Sequence, residues 1–346
     1  MSGVVVTIVR AEGSTYRRAG ARMLVGEDGA IAGSISGGCL EADAVERALV
    51  VMRTGAPAVA AYDTRSEGDV VWGHGLGCAG LVEVLIEPAA GSGLEFVRRC
   101  ERERQPGGVA TVFRVEGAAR ARVGGRVEVD DTGERASGIE CAALAARLAE
   151  DAGDAMRSGR SRSLEYDVEE GRVAAFVEAV RPPVALVVFG AGHDAAPVTR
   201  IAREVGWRVT VVDHRPALAR GERFPAAAEV VCARPEAARE RIVVDAETAA
   251  VVMTHNYLVD LALLEWLLET PAFYVGALGP RRRAGRLLAE LGRDAEPERL
   301  YGPAGLDLGA ETPEEIALAI VAEAKAAHAR CTAAPLRDRR SAIHST

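Results

Sequence analysis

Val184-Ala185-Leu186-Val187-Val188-Phe189-Gly190-Ala191-Gly192-His193-Asp194-Ala195 reads as a buried strand that turns through two glycines into a helix. It is G-x-G-x-x-A in the setting that motif requires. Gly190 makes the turn, Gly192 would admit a pyrophosphate, and Ala195 permits close helix–strand packing. The next apolar run, Arg208–Val212, leads into Asp213-His214-Arg215. Asp213 lies 23 positions beyond Gly190, where a carboxylate can accept from a ribose hydroxyl; Arg215 either takes a 2′-phosphate or is solvated. Further short apolar runs at Val230–Cys232, Ala249–Met253 and Phe273–Ala277 alternate with helical spacing at about His193–Val205, Pro235–Arg241, Tyr257–Glu269, Arg281–Leu291 and Pro313–Ala329. That alternation predicts a parallel doubly wound sheet, a Rossmann-like domain over 183–330. Asp194 places a carboxylate beside the helix N-terminus, where it would repel phosphates. Bound NAD(P) or another nucleotide, and a Rossmann-like scaffold with an altered site, therefore both remain open.

Two further loops belong at the carboxyl ends of strands, where such sheets bind ligands. Thr254-His255-Asn256 offers His255 as an acid–base or hydrogen-bonding group, or simply caps a helix. Gly279-Pro280-Arg281-Arg282-Arg283 offers Arg281 and Arg282 to an anion at a helix start, or is a solvated Arg-rich turn. Thr312-Pro313-Glu314-Glu315 is a structural capping box.

Upstream of Arg181-Pro182-Pro183 the pattern changes. Short strands at Val4–Arg10, Arg22–Val25, Ala30–Ile35, Ala58–Tyr62, Leu81–Glu87, Val109–Val115, Ala121–Val123, Val127–Val129, Leu164–Val168 and Val173–Ala179 mix with helices at about Cys39–Arg53, Leu94–Gln105 and Ile139–Met156. Without regular βαβ alternation this predicts an α+β domain over 1–180, with no internal repeat evident. The tail 331–346 reads as loosely structured.

The chemistry of this first domain concentrates in Ser34-Ile35-Ser36-Gly37-Gly38-Cys39-Leu40-Glu41. Gly37 and Gly38 let the backbone bend and bring its N–H groups to a ligand. Cys39 opens a helix, and the positive field there favours a thiolate suited to a soft metal or sulfur ligand. A buried cysteine beside a tight turn fits the same residues. A second loop, Trp72 to Gly80, contains Gly77-Cys78 ahead of an apolar strand, so two thiols can converge on one pocket. A third, Glu12 to Arg22, offers Arg17 and Arg22 to a phosphate. No Ser-His-Asp elbow, HExxH or kinase motif is present.

A net charge of -8 and a pI near 5.5 argue against nucleic-acid binding. Lys325 is the only lysine, so the arginine excess reflects composition and lowers the weight of any single Arg cluster. No apolar run reaches the ~20 residues that span a bilayer, and Met1-Ser2-Gly3-Val4 lacks the basic and apolar regions of a signal peptide. The six cysteines at 39, 78, 100, 141, 232 and 331 have no CxxC or zinc-like spacing. Reduced thiols and a cytoplasmic location are expected.

In order along the chain, these residues resemble the XdhC/CoxI family, accessory proteins of molybdenum hydroxylases. The similarity runs through Gly13-Ser14-Thr15 with Arg17, Gly20-Ala21-Arg22-Met23, Ser36-Gly37-Gly38-Cys39-Leu40-Glu41 and Gly75-Leu76-Gly77-Cys78. It continues through Gly190-Ala191-Gly192-His193, Asp213-His214-Arg215, Thr254-His255, Val275 to Arg282, Gly302 to Ala310, and Thr312 to Ala317. The resemblance implies a chaperone that holds the molybdenum cofactor (molybdopterin), presents it to a cysteine desulfurase for sulfuration and delivers it to the apo-hydroxylase. It implies Cys39 as a contact to the molybdenum or its terminal sulfur, and a homodimer matching a dimeric client. The chain departs from the family at Tyr16, commonly proline, at His74 and Ala79 in the Cys78 loop, and at Asp194, usually small and apolar. Its first strand also begins almost at Met1, where family members usually carry a helical segment. The alternative is an NAD(P)-dependent oxidoreductase with His255 or His193 as acid–base catalyst.

Overall fold

The computed structural model describes residues 3–63, 65, 80–293 and 297–340. The chain divides into two compact units, Met1–Pro182 and Pro183–Thr346.

The first unit contains β1 (Val4–Gly13), β2 (Arg22–Val25), β3 (Ile31–Gly33), α1 (Glu41–Thr54), β4 (Ala58–Asp63) and β5 (Gly80–Pro88). It continues with α2 (Leu94–Glu103), β6 (Gly107–Gly117), β7 (Ala121–Asp130), β8 (Gly133–Ile139), α3 (Ala142–Ser158), β9 (Arg162–Val168) and β10 (Gly171–Val180). They make two five-stranded sheets ordered β3-β2-β1-β5-β4 and β8-β7-β6-β10-β9. β7 is one continuous strand where two were expected. β8 is an additional edge strand, whose Gly133-Glu134-Arg135-Ala136-Ser137-Gly138 lacks the apolar alternation by which strands are read.

The two sheets correct the expectation that there is no internal repeat. Each is a three-strand meander, a helix and a hairpin, with strands in corresponding places. Pairing residues 4–63 with 108–167, each with the residue 104 positions later, needs no gap. It aligns Thr7 with Thr111, Arg10 with Arg114, Arg22 with Arg126, Leu40 with Leu144 and Tyr62 with Tyr166. Backbone irregularities coincide too. The β1–β5 register slips between Ile8 and Arg10, and the β6–β10 register slips at the equivalent Arg114/Val112. Gly55 and Gly159 end α1 and α3 in the left-handed conformation, with φ of 69° and 65°. The repeat escapes a motif-by-motif reading because the shared residues are dispersed over turns and core positions. The last connection differs most: Glu169 and Glu170 turn between β9 and β10, whereas 64–79 separate β4 from β5.

Each helix buries one stripe against its own sheet. In the first copy this is Leu40, Ala44, Ala48 and Val51; in the second, Leu144, Leu148, Ala152 and Ala155 occupy the same places. Tyr62 donates to Asp43 on α1 at 2.6 Å, and Tyr166 to Asp151 on α3 at 2.8 Å. Replacing Leu148, fully buried, by the alanine its counterpart Ala44 already carries is expected to cost about 3 kcal/mol in urea unfolding. Copy one packs around its alanine, whereas copy two would be left with a cavity. Between the sheets lies a small apolar cluster of Val9, Leu85, Phe113, Ala174 and Phe176. It is flanked by two ion pairs at equivalent positions, Arg22–Glu178 and Arg126–Glu87, each at 2.5 Å.

The second unit comprises β11 (Ala185–Phe189), α4 (Ala195–Glu204), β12 (Arg208–Asp213), β13 (Glu229–Cys232), α5 (Pro235–Arg241) and β14 (Thr248–Val252). Then follow α6 (Tyr257–Leu267), β15 (Tyr274–Ala277), α7 (Arg281–Glu290), β16 (Leu300–Tyr301) and α8 (Pro313–Ala329). Its sheet is six-stranded and parallel, ordered β13-β12-β11-β14-β15-β16, as the alternation predicts. α4 and α8 bury one face, and α5, α6 and α7 the other. β16 adds a sixth strand too short for any periodicity to show. The capping box at Thr312 is formed, with both Thr312 and Glu315 side chains engaged.

Candidate functional site

In the first unit the loop before α1 is fastened by two side chains. The Glu41 carboxylate accepts from the N–H of Ser36 at 2.8 Å, and from those of Ile35 and Leu40 at 3.3 and 3.2 Å. It also takes the Ser36 hydroxyl. Ser36 Oγ in turn accepts from Gly38 and Leu40 N–H groups, both at 3.1 Å. Burial works against ionisation of Glu41, but these donors outweigh it and hold the carboxyl below its usual range. Ile35 and Leu40, at 1% and 5% exposure, pin both ends of the loop into the core. Cys39, between the pinned residues, is exposed. Gly38 reaches it at φ 112°, a conformation that favours glycine. The Leu40 N–H, one residue beyond the thiol, is taken by Ser36 and Glu41. Ser36 and Glu41 had no assigned role from sequence; a serine five residues ahead of a glutamate that opens a helix is the signal that could have revealed the clasp.

Cys39 lines a small cavity of about 40 Å³ with Ser14, Thr15, Tyr16, Arg17, Ser36 and Tyr62. The fold thus brings together Cys39 and Arg17, read from different loops. Gly37 lies under the Tyr16 ring, where a Cβ would sit 3.6 Å from it. Arg22 is elsewhere: it faces the second sheet and forks onto Glu178 at 2.8 and 2.5 Å. Gly77 and Cys78 lie outside the described residues. Among the described residues, no group of three or more His, Cys, Asp or Glu could hold a metal ion, and no helix is long and apolar enough to cross a membrane.

In the second unit, Gly190 makes the tight turn at φ 118°, with its N–H on Val212 O at 2.8 Å. Asp213, 3% exposed, accepts from Ala191 N–H at 2.7 Å and from Arg215 through its N–H, Nε and Nη2 at 2.9, 2.9 and 2.7 Å. A carboxylate offers about four lone-pair positions, so the ribose acceptor foreseen from sequence is spent inside the chain. Burial opposes the Asp213 charge, but Arg215 and the Ala191 N–H prevail and pull its pKa down to about 2. A carboxyl lowered in the folded state stabilises above its unfolded pKa, and that contribution disappears as pH falls through the folded value. Asp213→Asn is therefore expected to lose about 2 kcal/mol at pH 7. The gap to wild type should close between about pH 4 and pH 2 in urea titrations.

Asp194 folds over the glycine loop, close to Gly192, and meets His255 Nε2 at 2.8 Å. This bridges the loops after β11 and β14. His255 stands at φ 59°, and Asn256 beside it caps α6 through the Leu258 and Val259 N–H groups. The Thr254 hydroxyl bonds Asp260 at 2.5 Å, and Asp260 holds Arg283 at 2.6 Å. Arg281 and Arg282 are left exposed at the first turn of α7. His193 is exposed after β11.

Fold and site together define a two-part protein: a duplicated α+β module presenting an exposed thiol in a glycine loop, and a Rossmann-like unit whose acidic residue is turned inward. The sequence pattern of the XdhC and CoxI family matches residues 1–63 and 100–167, the two copies of the repeat, and that of the XdhC Rossmann domain matches residues 186–324. The chain is 32% identical over 323 residues to a protein of Bacillus subtilis described as a probable xanthine dehydrogenase subunit, covering 92% of this chain and 91% of that one. It is 27% identical over 330 residues to the molybdenum cofactor insertion chaperone PaoD of Escherichia coli, covering 93% and 83%. A crystal structure of a xanthine dehydrogenase from Bacillus halodurans superposes with a TM-score of 0.74 at 30% identity, covering 99% and 94%. The chain belongs to the XdhC and CoxI family.

Proposed function

We propose that this chain is an accessory protein that binds the molybdenum cofactor as cargo and passes it to a molybdenum hydroxylase. The observation that carries the reading is the exposed Cys39 thiol, in a loop whose backbone Ser36 and Glu41 fasten, lining one cavity with Arg17. A thiolate is a donor matched to soft metal centres with sulfur ligands, and a guanidinium is matched to phosphate. The relatives named for xanthine dehydrogenase and for cofactor insertion support the same direction. The cavity of about 40 Å³ takes the metal end alone, since pockets for whole small molecules run to about 300–1,000 Å³. The pterin therefore rests outside it. Sulfuration by a cysteine desulfurase while the cofactor is held, and a homodimeric state, complete the proposal.

The second unit acts as a scaffold in this reading. Asp213 is saturated internally and Asp194 occupies the approach to Gly192, which weighs against the NAD(P)-dependent alternative. The test is anaerobic incubation with released cofactor, gel filtration, and assay of molybdenum and pterin in the protein peak. Addition of apo-hydroxylase follows, with its activity as readout. Co-elution near one cofactor per chain, followed by activation of the hydroxylase, is expected; a folded protein that elutes free of cofactor overturns the reading.

A further inference from the structure

The repeat supplies an internal control for a feature no motif announces. Arg22 and Arg126 occupy equivalent positions, on β2 and β7, and each meets a glutamate of the other sheet. Arg22 uses both terminal nitrogens in a fork on Glu178. Arg126, 5% exposed, reaches Glu87 and the Gly124 carbonyl through Nη2 alone, at 2.5 and 2.8 Å. Its Nη1 is buried with no hydrogen-bond partner among the described residues. Leaving a guanidinium donor unpaired in the interior is costly. Beside it is Gly93, where a Cβ would come within 3.2 Å of Nη1, so glycine keeps that space free.

Arg126 also lines a groove of about 630 Å³ between α2 and the β7–β8 edge. The groove takes Glu95, Arg98, Arg99 and Arg102 from one face of α2, and Glu128 and Arg135 from the sheet. Asp130 holds Arg99 at 2.5 Å, and Glu103 holds Arg102 at 3.2 Å. Five guanidinium groups and two carboxylates line the groove, in a chain whose net charge is negative. The first copy shows that the fold does not require this. At the positions of Glu128 and Arg135 it carries Leu24 and Ile31, and no counterpart of α2 follows the second copy's hairpin to cover that edge. Burial pushes the Glu128 carboxyl above its usual range, against the pull of Arg126, Arg99 and Arg135.

We propose that this groove binds a small molecule through its phosphate or diphosphate group, with Arg126, Arg99, Arg102 and Arg135 as partners of the anion. The groove has the size of a pocket for a nucleotide-sized ligand, and arginine forks suit phosphate oxygens. The site is separate from Cys39.

The test titrates the full chain with inorganic pyrophosphate and with AMP by calorimetry, using adenosine as control. Pyrophosphate and AMP are expected to bind and adenosine not to. The double variant Arg102→Ala/Arg135→Ala, at exposed positions, should weaken both at least about tenfold without moving the urea midpoint. Cys39→Ala should leave both affinities as in wild type. AMP binding more tightly than pyrophosphate marks a nucleotide as the source of the phosphate, and equal affinities mark recognition of the phosphate end alone. Absence of pyrophosphate binding at about 5 mM, well above the ~1 mM that a weak site of ~4 kcal/mol would show, overturns the proposal. So does binding unchanged in the double variant, or adenosine binding as well as AMP.

Discussion

Cys39→Ala is expected to lose molybdenum and pterin retention by at least about tenfold, the scale of removing groups that hold or orient a metal. Its stability should stay within about 0.5 kcal/mol of wild type, because the side chain is exposed. The loop keeps its shape without the thiol: Ser36 and Glu41 hold the backbone, and Ile35 and Leu40 anchor it. Cys39→Ser separates chemistry from shape. Serine preserves size and hydrogen bonding but replaces a soft donor with a hard one, so a sulfur contact to the metal predicts that serine fails with alanine. Metal analysis after gel filtration, beside urea midpoints, reads both quantities. Retention restored by serine would mean that the position contributes shape alone. Retention intact in both variants would remove Cys39 from the site.

The second large effect concerns stability. Gly190→Val is expected to destabilise the second unit by roughly 4 kcal/mol, the sum of a left-handed strain term and overpacking. At φ 118° any side chain is strained, and a Cβ there is driven into the Met253 carbonyl and the Thr254 backbone N–H just after β14, neither of which can yield. Gly192→Ala is the control. Its added Cβ meets only the carboxylate end of Asp194, a side chain that can rotate away, so less than about 1 kcal/mol is expected. The two glycines of one motif thus separate into one the fold needs and one that only a ligand would need. Urea unfolding followed by tryptophan fluorescence, to which the buried Trp207 and Trp266 contribute, distinguishes them. Coincident midpoints for the two variants would refute the steric argument.

Much of this architecture is legible in the residues. Five apolar strands alternating with helices specify the parallel sheet, because a strand covered on both faces must be apolar throughout while the helices over it keep their own period. Gly190 and the capping box at Thr312 are local geometry, read from a few consecutive residues. The Cys39 loop is visible for the same reason: two glycines and a helix start are contiguous. The repeat is harder to see, since its shared residues are spread over sixty positions and are set by burial and turn geometry, not by a motif.

The sequence by itself determined the Rossmann-like unit, the place of the thiol and the family resemblance, because each rests on contacts between residues close along the chain or on an ordered set of motifs. The tertiary structure alone decided which charges meet. Arg22 reads as a phosphate ligand until the second sheet presents Glu178, and Asp213 reads as a ribose acceptor until Arg215 and the Ala191 N–H occupy it. Arg126 shares its strand position with Arg22 yet keeps one nitrogen unpaired. Pairing of charges depends on side chains that folding brings together from distant positions, and its strength depends on the burial that packing creates.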